Sequence, residues 1–339
     1  MSTTIGLRST RIVAAAGYAP DTVRTNLDLE KIVDTTDEWI VSRTGIRERR
    51  IAAPGQATSD LAAIAGERAL ELSGLSPDDI DAVIVGTCTP DHPLPSTASI
   101  VCGRLGIHNA GAFDLSAACS SYGYCLTQGH ALVASGAAEN ALVIGADIMS
   151  QLMDWNDRTT CVLFGDGAGA MIVTNRGGDG TTALLASDSG TVPDLASLWV
   201  PAGGSREPIN RDQNSEADAF LRMNGREVFR FASTTIVASI QRLLDKAGLT
   251  ADAVDLFVPH QANLRIVEHA VARTGIPMER VMTNLERYGN TSAGSIPLAL
   301  AEAEANGRLV PGSIVLTIGF GAGLSWAGQL FRYGGQSAS

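Results

Sequence analysis

The chain has 339 residues, 45% hydrophobic and 18% charged, an ordinary globular composition for one large or two medium domains. Its formal net charge of −11 argues against nucleic acid or an anionic membrane as the main partner. No apolar run reaches the ~18 residues of a membrane span, and the first residues lack the pattern of a secretory leader. Five cysteines with no CxxC pair or metal spacing predict reduced thiols, no metal site and a cytoplasmic protein.

In chain order, the first signal is Thr35 with Glu38, a capping-box spacing that predicts a short helix. Trp39 and Arg43 share one face of it. Next, Gly74-Leu-Ser-Pro-Asp-Asp-Ile-Asp-Ala-Val-Ile-Val85 leaves a helical stretch and enters a short apolar run, read as a buried strand. Leu94 follows, in a loop stiffened by the prolines on either side of it. The segment Ser116-Ala-Ala-Cys-Ser-Ser121 then packs small residues around Cys119, at the start of a helix predicted from about Ser120 to Ala134. A helix N-terminus lowers a thiol's pKa, and small neighbours let another chain or a substrate come close. Cys119 therefore reads as a nucleophile or, on this segment alone, as an inert cysteine in a tight crossing. Cys88, Cys102, Cys125 and Cys161 have no such context and read as structural.

Gly165-Asp-Gly-Ala-Gly169 resembles a dinucleotide loop, but it runs into Ala170-Met-Ile-Val-Thr174, an apolar strand rather than a helix. That argues against a nicotinamide-dependent oxidoreductase. A polar stretch near Pro201–Glu216 reads as a surface loop. Arg222, Arg226 and Arg230 recur at helical spacing. Gly248-Leu-Thr-Ala-Asp-Ala-Val-Asp-Leu-Phe-Val258 then repeats the Gly74–Val85 pattern, and His260 follows directly, with Asn263, Arg265 and Arg273 beyond it. Asn290 sits in a glycine-flanked turn before a second helix that ends at Gly307, as the Cys119 helix ends at Gly136. Gly319-Phe-Gly-Ala-Gly323 echoes 165–169.

These repeats predict two related α/β halves, roughly 1–175 and 176–339, with layered sheets between helices. Aligning Gly136 with Gly307 sets Cys119 opposite Asn290. Two halves related in this way would bring Cys119, His260 and Asn290 to one central point.

With those residues in place, the chain resembles the β-ketoacyl-[acyl carrier protein] synthase III family of thiolase-like condensing enzymes. The likeness covers nearly the whole length, through TDEWIVSRTGIRERR (36–50), AACSS (117–121), DWNDRTTCVLFGDGAGA (154–170), VPHQANLRI (258–266), YGNTSAGSIPLAL (288–300) and GFGAGLSW (319–326). The resemblance implies a five-layer αβαβα fold of two pseudo-two-fold halves and a homodimer. It implies a Cys119–His260–Asn290 triad, with an oxyanion hole from the backbone N–H groups of Cys119 and Ala322. Where many relatives carry three glycines this chain reads Gly321-Ala322-Gly323, which leaves that N–H in place. The reaction implied is condensation of acyl-CoA with malonyl-[acyl carrier protein], needing no cofactor. A starter-unit synthase or acyltransferase of a polyketide pathway is the alternative. Trp39, Arg43, Arg158, Gly225, Phe229 and Asn263 match coenzyme A positions, core packing being the lesser reading of Trp39 on pattern alone. Leu94, Phe164 and Leu221 match the acyl pocket, Leu94 reaching the partner subunit's. By spacing alone, Arg222, Arg226 and Arg230, with Arg265 and Arg273 after His260, read either as solvated surface charges or as a basic ridge on which Arg230, Arg265 and Arg273 would dock the acidic carrier protein.

Overall fold

The computed structural model describes residues 7–178, 180–209 and 216–338. Two main sheets organise it. In the first, the strands lie in the order Arg11–Tyr18, Asp166–Thr174, Asn140–Ile148, Ala82–Gly86, Gly111–Leu115. The last three run parallel and the first two pairings are antiparallel. The three inner runs DGAGAMIVT, NALVIGADI and AVIVG are buried at every position, as expected of strands covered on both faces.

The second sheet has the order Leu184–Thr191, Ser325–Arg332, Ile314–Gly321, Leu256–Pro259. Its pairings repeat the same sense, two antiparallel and then one parallel. A parallel bridge between Phe257 and Val281 stands where the first sheet has its fifth strand.

Helices Thr58–Ser73 and Thr97–Leu105 cover the outer face of the first sheet. Helices Gly225–Ala247 and Leu264–Thr274 cover that of the second. Helices Ser121–Ser135 and Ser295–Ala305 lie between the sheets and touch both. The result is the αβαβα sandwich.

The small residues of the helix that follows Cys119 have a packing reason here. A Cβ on Gly129 would lie 2.6 Å from Val143 of the first sheet, and one on Gly123 would lie 2.8 Å from Ala327 of the second. The helix is squeezed on both sides, and glycine is what lets the sheets close on it.

Each middle helix is entered through a short 3₁₀ turn, Ala118–Ser120 or Ser292–Gly294. Each turn opens on a non-glycine residue at φ 50, Ala118 in one and Ser292 in the other. Matching these turns pairs Cys119 with Ala293, not with Asn290 as the terminal glycines suggested. The helices differ in length, 15 residues against 11, so an alignment anchored at their C-terminal ends slips at their starts. Residues 201–209 form an irregular, largely exposed loop; the rest of the polar stretch, 210–215, lies outside the described residues.

Candidate active site

Cys119 is 6% exposed. The second-half strand Ile314–Gly321 presses on it from the opposite sheet. A Cβ on Gly321 would meet Cys119 N at 2.6 Å, and one on Gly319 would meet Cys119 O at 3.1 Å. Ser120 and Ser325 hydroxyls, 2.8 Å apart, close the same contact. Burial pushes the Cys119 thiol up to about 12, with Asp147 adding to the rise and a hydrogen bond donated by Ser292 Oγ (3.4 Å) opposing it. The lowered thiol expected at a helix start is therefore not what the structure holds. Loss of water outweighs the helix end in this buried crossing.

His260 caps the strand Leu256–Pro259, its N–H donating to Ile318 O at 2.9 Å. Its ring meets the Phe320 ring edge-on, 5.1 Å between centroids. Burial alone pushes its pKa down to about 3, so the imidazole is neutral at working pH. Asn290 is fixed at both backbone ends, donating to Leu163 O (2.8 Å) and accepting from Gly165 N (3.0 Å). Its Oδ1 accepts the Ser292 N–H at 2.9 Å, which turns its NH₂ the other way.

The structure brings the three together. Cys119, His260 and Asn290, all buried, line one cavity of about 120 Å³ together with the less buried Gly225, Phe229 and Asn263. A second cavity of about 380 Å³ is lined by Cys119, Cys88, Met149, Phe164, Leu221 and Ala322. Cys119 and Phe164 belong to both, so the sulfur sits where the two spaces meet. A groove of about 520 Å³ elsewhere, along Arg68, Tyr288 and Glu302, has no cysteine or histidine in its lining.

Phe164 and Leu221 thus face the second cavity, while Leu94 lines neither and is 86% exposed in this single chain. Cys88, read as structural from the sequence, borders the second cavity.

Trp39 lies on the helix Asp37–Thr44. The cap is Thr36, whose side chain accepts from Trp39 N; Thr35 Oγ1 is buried without a partner. The helix starts one residue later than the Thr35–Glu38 spacing indicated. The Arg43 and Arg158 guanidinium carbons lie 5.1 Å and 5.4 Å from the Trp39 ring centre, a cation–π arrangement. Asn263 caps the helix Leu264–Thr274 through Oδ1 (2.9 Å to Arg265 N) and donates from Nδ2 to Arg43 O at 3.1 Å. Its carboxamide is engaged within the protein at both ends, and it ties the Trp39 helix to the His260 loop.

The arginine ridge is thinner than the sequence suggested. Arg222 pairs with Asp218 at 2.7 Å and Arg230 pairs with Glu227. Arg226, Arg265 and Arg273 are exposed and carry no ion pair among the described residues.

Sequence reasoning missed Ser292 and Asp147. The Asp147 carboxylate accepts from Thr87 Oγ1, Cys88 N, and Thr89 N and Oγ1, and on its other oxygen from Ala293 N at 2.9 Å. One buried acid of the first half thus holds the turn of the second half that follows Asn290. Its signal was a charge near the end of an otherwise apolar strand.

Among the described residues, no group of histidine, cysteine and acidic side chains could hold a metal ion, and no helix is long and apolar enough to cross a membrane.

Comparison with known proteins places this geometry. A crystal structure of 3-oxoacyl-[acyl-carrier-protein] synthase III from Aquifex aeolicus superposes with a TM-score of 0.88 at 41% identity, covering 96% of this chain and all of that one. The priming β-ketosynthase of the R1128 polyketide pathway gives 0.90 at 36% identity, covering 98% of each chain. The fold is that of a thiolase-like condensing enzyme. Residues 113–193 match the model of 3-oxoacyl-[acyl-carrier-protein] synthase III, and residues 244–333 that of its C-terminal part. The β-ketoacyl-[acyl-carrier-protein] synthase III of Symbiobacterium thermophilum is 46% identical over 97% of this chain and 99% of its own. This chain belongs to the 3-oxoacyl-[acyl-carrier-protein] synthase III family.

Proposed function

We propose that this protein performs the initiating condensation of fatty-acid synthesis, joining an acyl-CoA to malonyl-[acyl carrier protein]. The observation that carries it is the position of Cys119, between one cavity faced by His260 and Asn290 and a second, mostly apolar one. In this reading the Cys119 sulfur attacks the acyl-CoA thioester and the thiol proton leaves with coenzyme A. The backbone N–H groups of Cys119 and Ala322 hold the oxyanion; the close fit of Gly321 on Cys119 supports that pairing. The acyl chain rests against Phe164 and Leu221.

Malonyl-carrier protein then enters, its thioester oxygen accepting from His260 and Asn290. Loss of CO₂ leaves an enolate on those two donors. Its carbon attacks the acyl-cysteine carbonyl, the Cys119 sulfur leaves and takes back a proton, and 3-oxoacyl-carrier protein departs. The neutrality of His260 supports this division of labour, because a cation would hand a proton to the carbanion.

Trp39 and Arg158 hold the adenine and Arg43 meets a phosphate, while Gly225, Phe229 and Asn263 line the path of the pantetheine arm. Coenzyme A enters as substrate, and no resident cofactor is needed. Arg265 and Arg273, joined by Arg230, meet the acidic carrier protein. The strand Gly111–Leu115 ends the first sheet with one edge unpaired, which suits a homodimer built edge to edge, with Leu94 closing the partner's acyl pocket. A division near residue 175 and a cytoplasmic setting complete the reading.

The likeness to the polyketide priming synthase supports a second reading, starter-unit synthesis in a specialised pathway. An assay with malonyl-carrier protein and a panel of acyl-CoAs, following CO₂ release, product mass and the acylated peptide, tests both. A 3-oxoacyl product with the label on Cys119 is expected. Label on Cys125 or Cys161, or acyl transfer to an alcohol or amine alone, would overturn the first reading.

A further inference from the structure

Ser292 joins the two halves of the chemistry, and neither the triad nor the oxyanion hole accounts for it. It is 1% exposed and held at φ 50, a conformation non-glycine residues adopt rarely and at a cost. Its backbone N–H orients the Asn290 carboxamide (2.9 Å), and its hydroxyl donates to the Cys119 sulfur (3.4 Å). The same oxygen lies 3.6 Å from Cys88 Sγ. The next residue is pinned by Asp147, which keeps the strained turn in place.

From this arrangement we infer that Ser292 is a positioning residue whose hydroxyl aims at and stabilises the Cys119 thiolate, then turns to Cys88 when the sulfur becomes a thioester. A thioester sulfur is a poor acceptor, so the donor needs a second partner once acylation has occurred. Cys88 supplies it on the wall of the acyl cavity. No bond is made or broken by Ser292 itself. The other titratable groups around the sulfur do not offer this donor. Among the described residues His260 makes no hydrogen bond to the sulfur, the Asp147 carboxylate is an acceptor already engaged by the five hydrogen bonds given above, and Cys88 is pushed up by burial.

This inference rests on Cys119 as nucleophile, but its test does not need condensation. The rate of Cys119 alkylation by iodoacetamide at pH 8, mapped by peptide mass, is measured in the full-length protein and in Ser292→Gly and Ser292→Ala. Glycine suits the positive φ and alanine keeps the Cβ, so either variant can carry the test if the other fails to fold, with folding checked by thermal melting. Both keep the N–H that orients Asn290. At a pH far below the buried thiol's own, the rate follows the thiolate fraction, so it is expected to fall about 10- to 100-fold, the worth of a hydrogen bond to a charged group. Acylation by acyl-CoA should slow more than malonyl decarboxylation. An unchanged alkylation rate in the folded variants overturns the inference. Slowed alkylation with no condensation from any acyl-CoA keeps it and sinks the proposed reaction instead.

Discussion

Gly321 and Cys119 touch backbone to backbone, close enough that a Cβ on the glycine would lie 2.6 Å from the cysteine nitrogen. The strand Ile314–Gly321 thereby fixes the amide of Cys119, the proposed nucleophile. Gly321→Ala must push that amide away, since a backbone atom has no rotamer by which to yield. Displacements of about 1 Å in a site of this kind cost roughly 10²-fold in rate. We expect acylation by acyl-CoA to fall by about that factor in a protein that still folds. Rapid-quench measurement of acyl-enzyme formation checks it; a wild-type rate would show that the contact does not set the oxyanion geometry.

His260→Ala and Asn290→Ala separate the two half-reactions. In the proposed reaction each removes one donor to the enolate, worth about 10²–10³-fold. Malonyl decarboxylation is expected to drop by that much, while acyl transfer to Cys119 changes far less. CO₂ release and acyl-enzyme formation, measured side by side, decide it. Equal losses in both would mean that the residues only shape the cavity.

Acid stability follows from the same histidine. Burial holds His260 near 3, against ~6.5 for an exposed imidazole. Below ~6.5 the unfolded chain takes up a proton that the folded chain refuses. The stability linked to His260 is whole above that pH and declines as pH falls toward 3. At pH 5 the loss from this one group is ~2 kcal/mol. His260→Gln should therefore show a smaller gap between its urea midpoints at pH 7.5 and pH 5 than the parent. An identical gap would place the acid sensitivity elsewhere.

Leu94→Phe addresses primer size. Leu94 stands exposed on a proline-bounded loop, and the proposed dimer would carry it to the partner's acyl pocket. A flat, larger ring there is expected to lower kcat/KM for isovaleryl-CoA relative to acetyl-CoA by ~10–200-fold, the worth of one or two methylenes of space. The ratio of the two constants in each protein is the measurement. An unchanged ratio in an intact dimer would remove Leu94 from the pocket.

The sequence made the layered α/β order and the three converging residues legible, because strand and helix runs, glycine turns and the motifs around Cys119, His260 and Asn290 are local patterns. It misplaced the repeat register at the helix starts, because helix length is set by packing between the sheets and not by the terminal glycine. It misjudged the direction of the thiol, because burial depends on strands more than 190 residues away in sequence, such as Ile314–Gly321. Ser292 and Asp147 stayed hidden for a related reason. A serine in a turn and an acid near a strand end are ordinary residues until the opposite half is folded against them.

The middle layer belongs to neither half. The apolar cluster around it takes Ile12, Tyr122, Leu126 and Val143 from one side, and Val258, Ile296, Leu300 and Phe331 from the other. A chain cut between Thr174 and Leu184, where the first sheet ends and the second begins, would leave each fragment with a broad apolar face open to water. The two like sheets therefore depend on one another, each resting its inner face on an interior that neither could cover alone, and Cys119 lies at the start of a helix inside that shared layer.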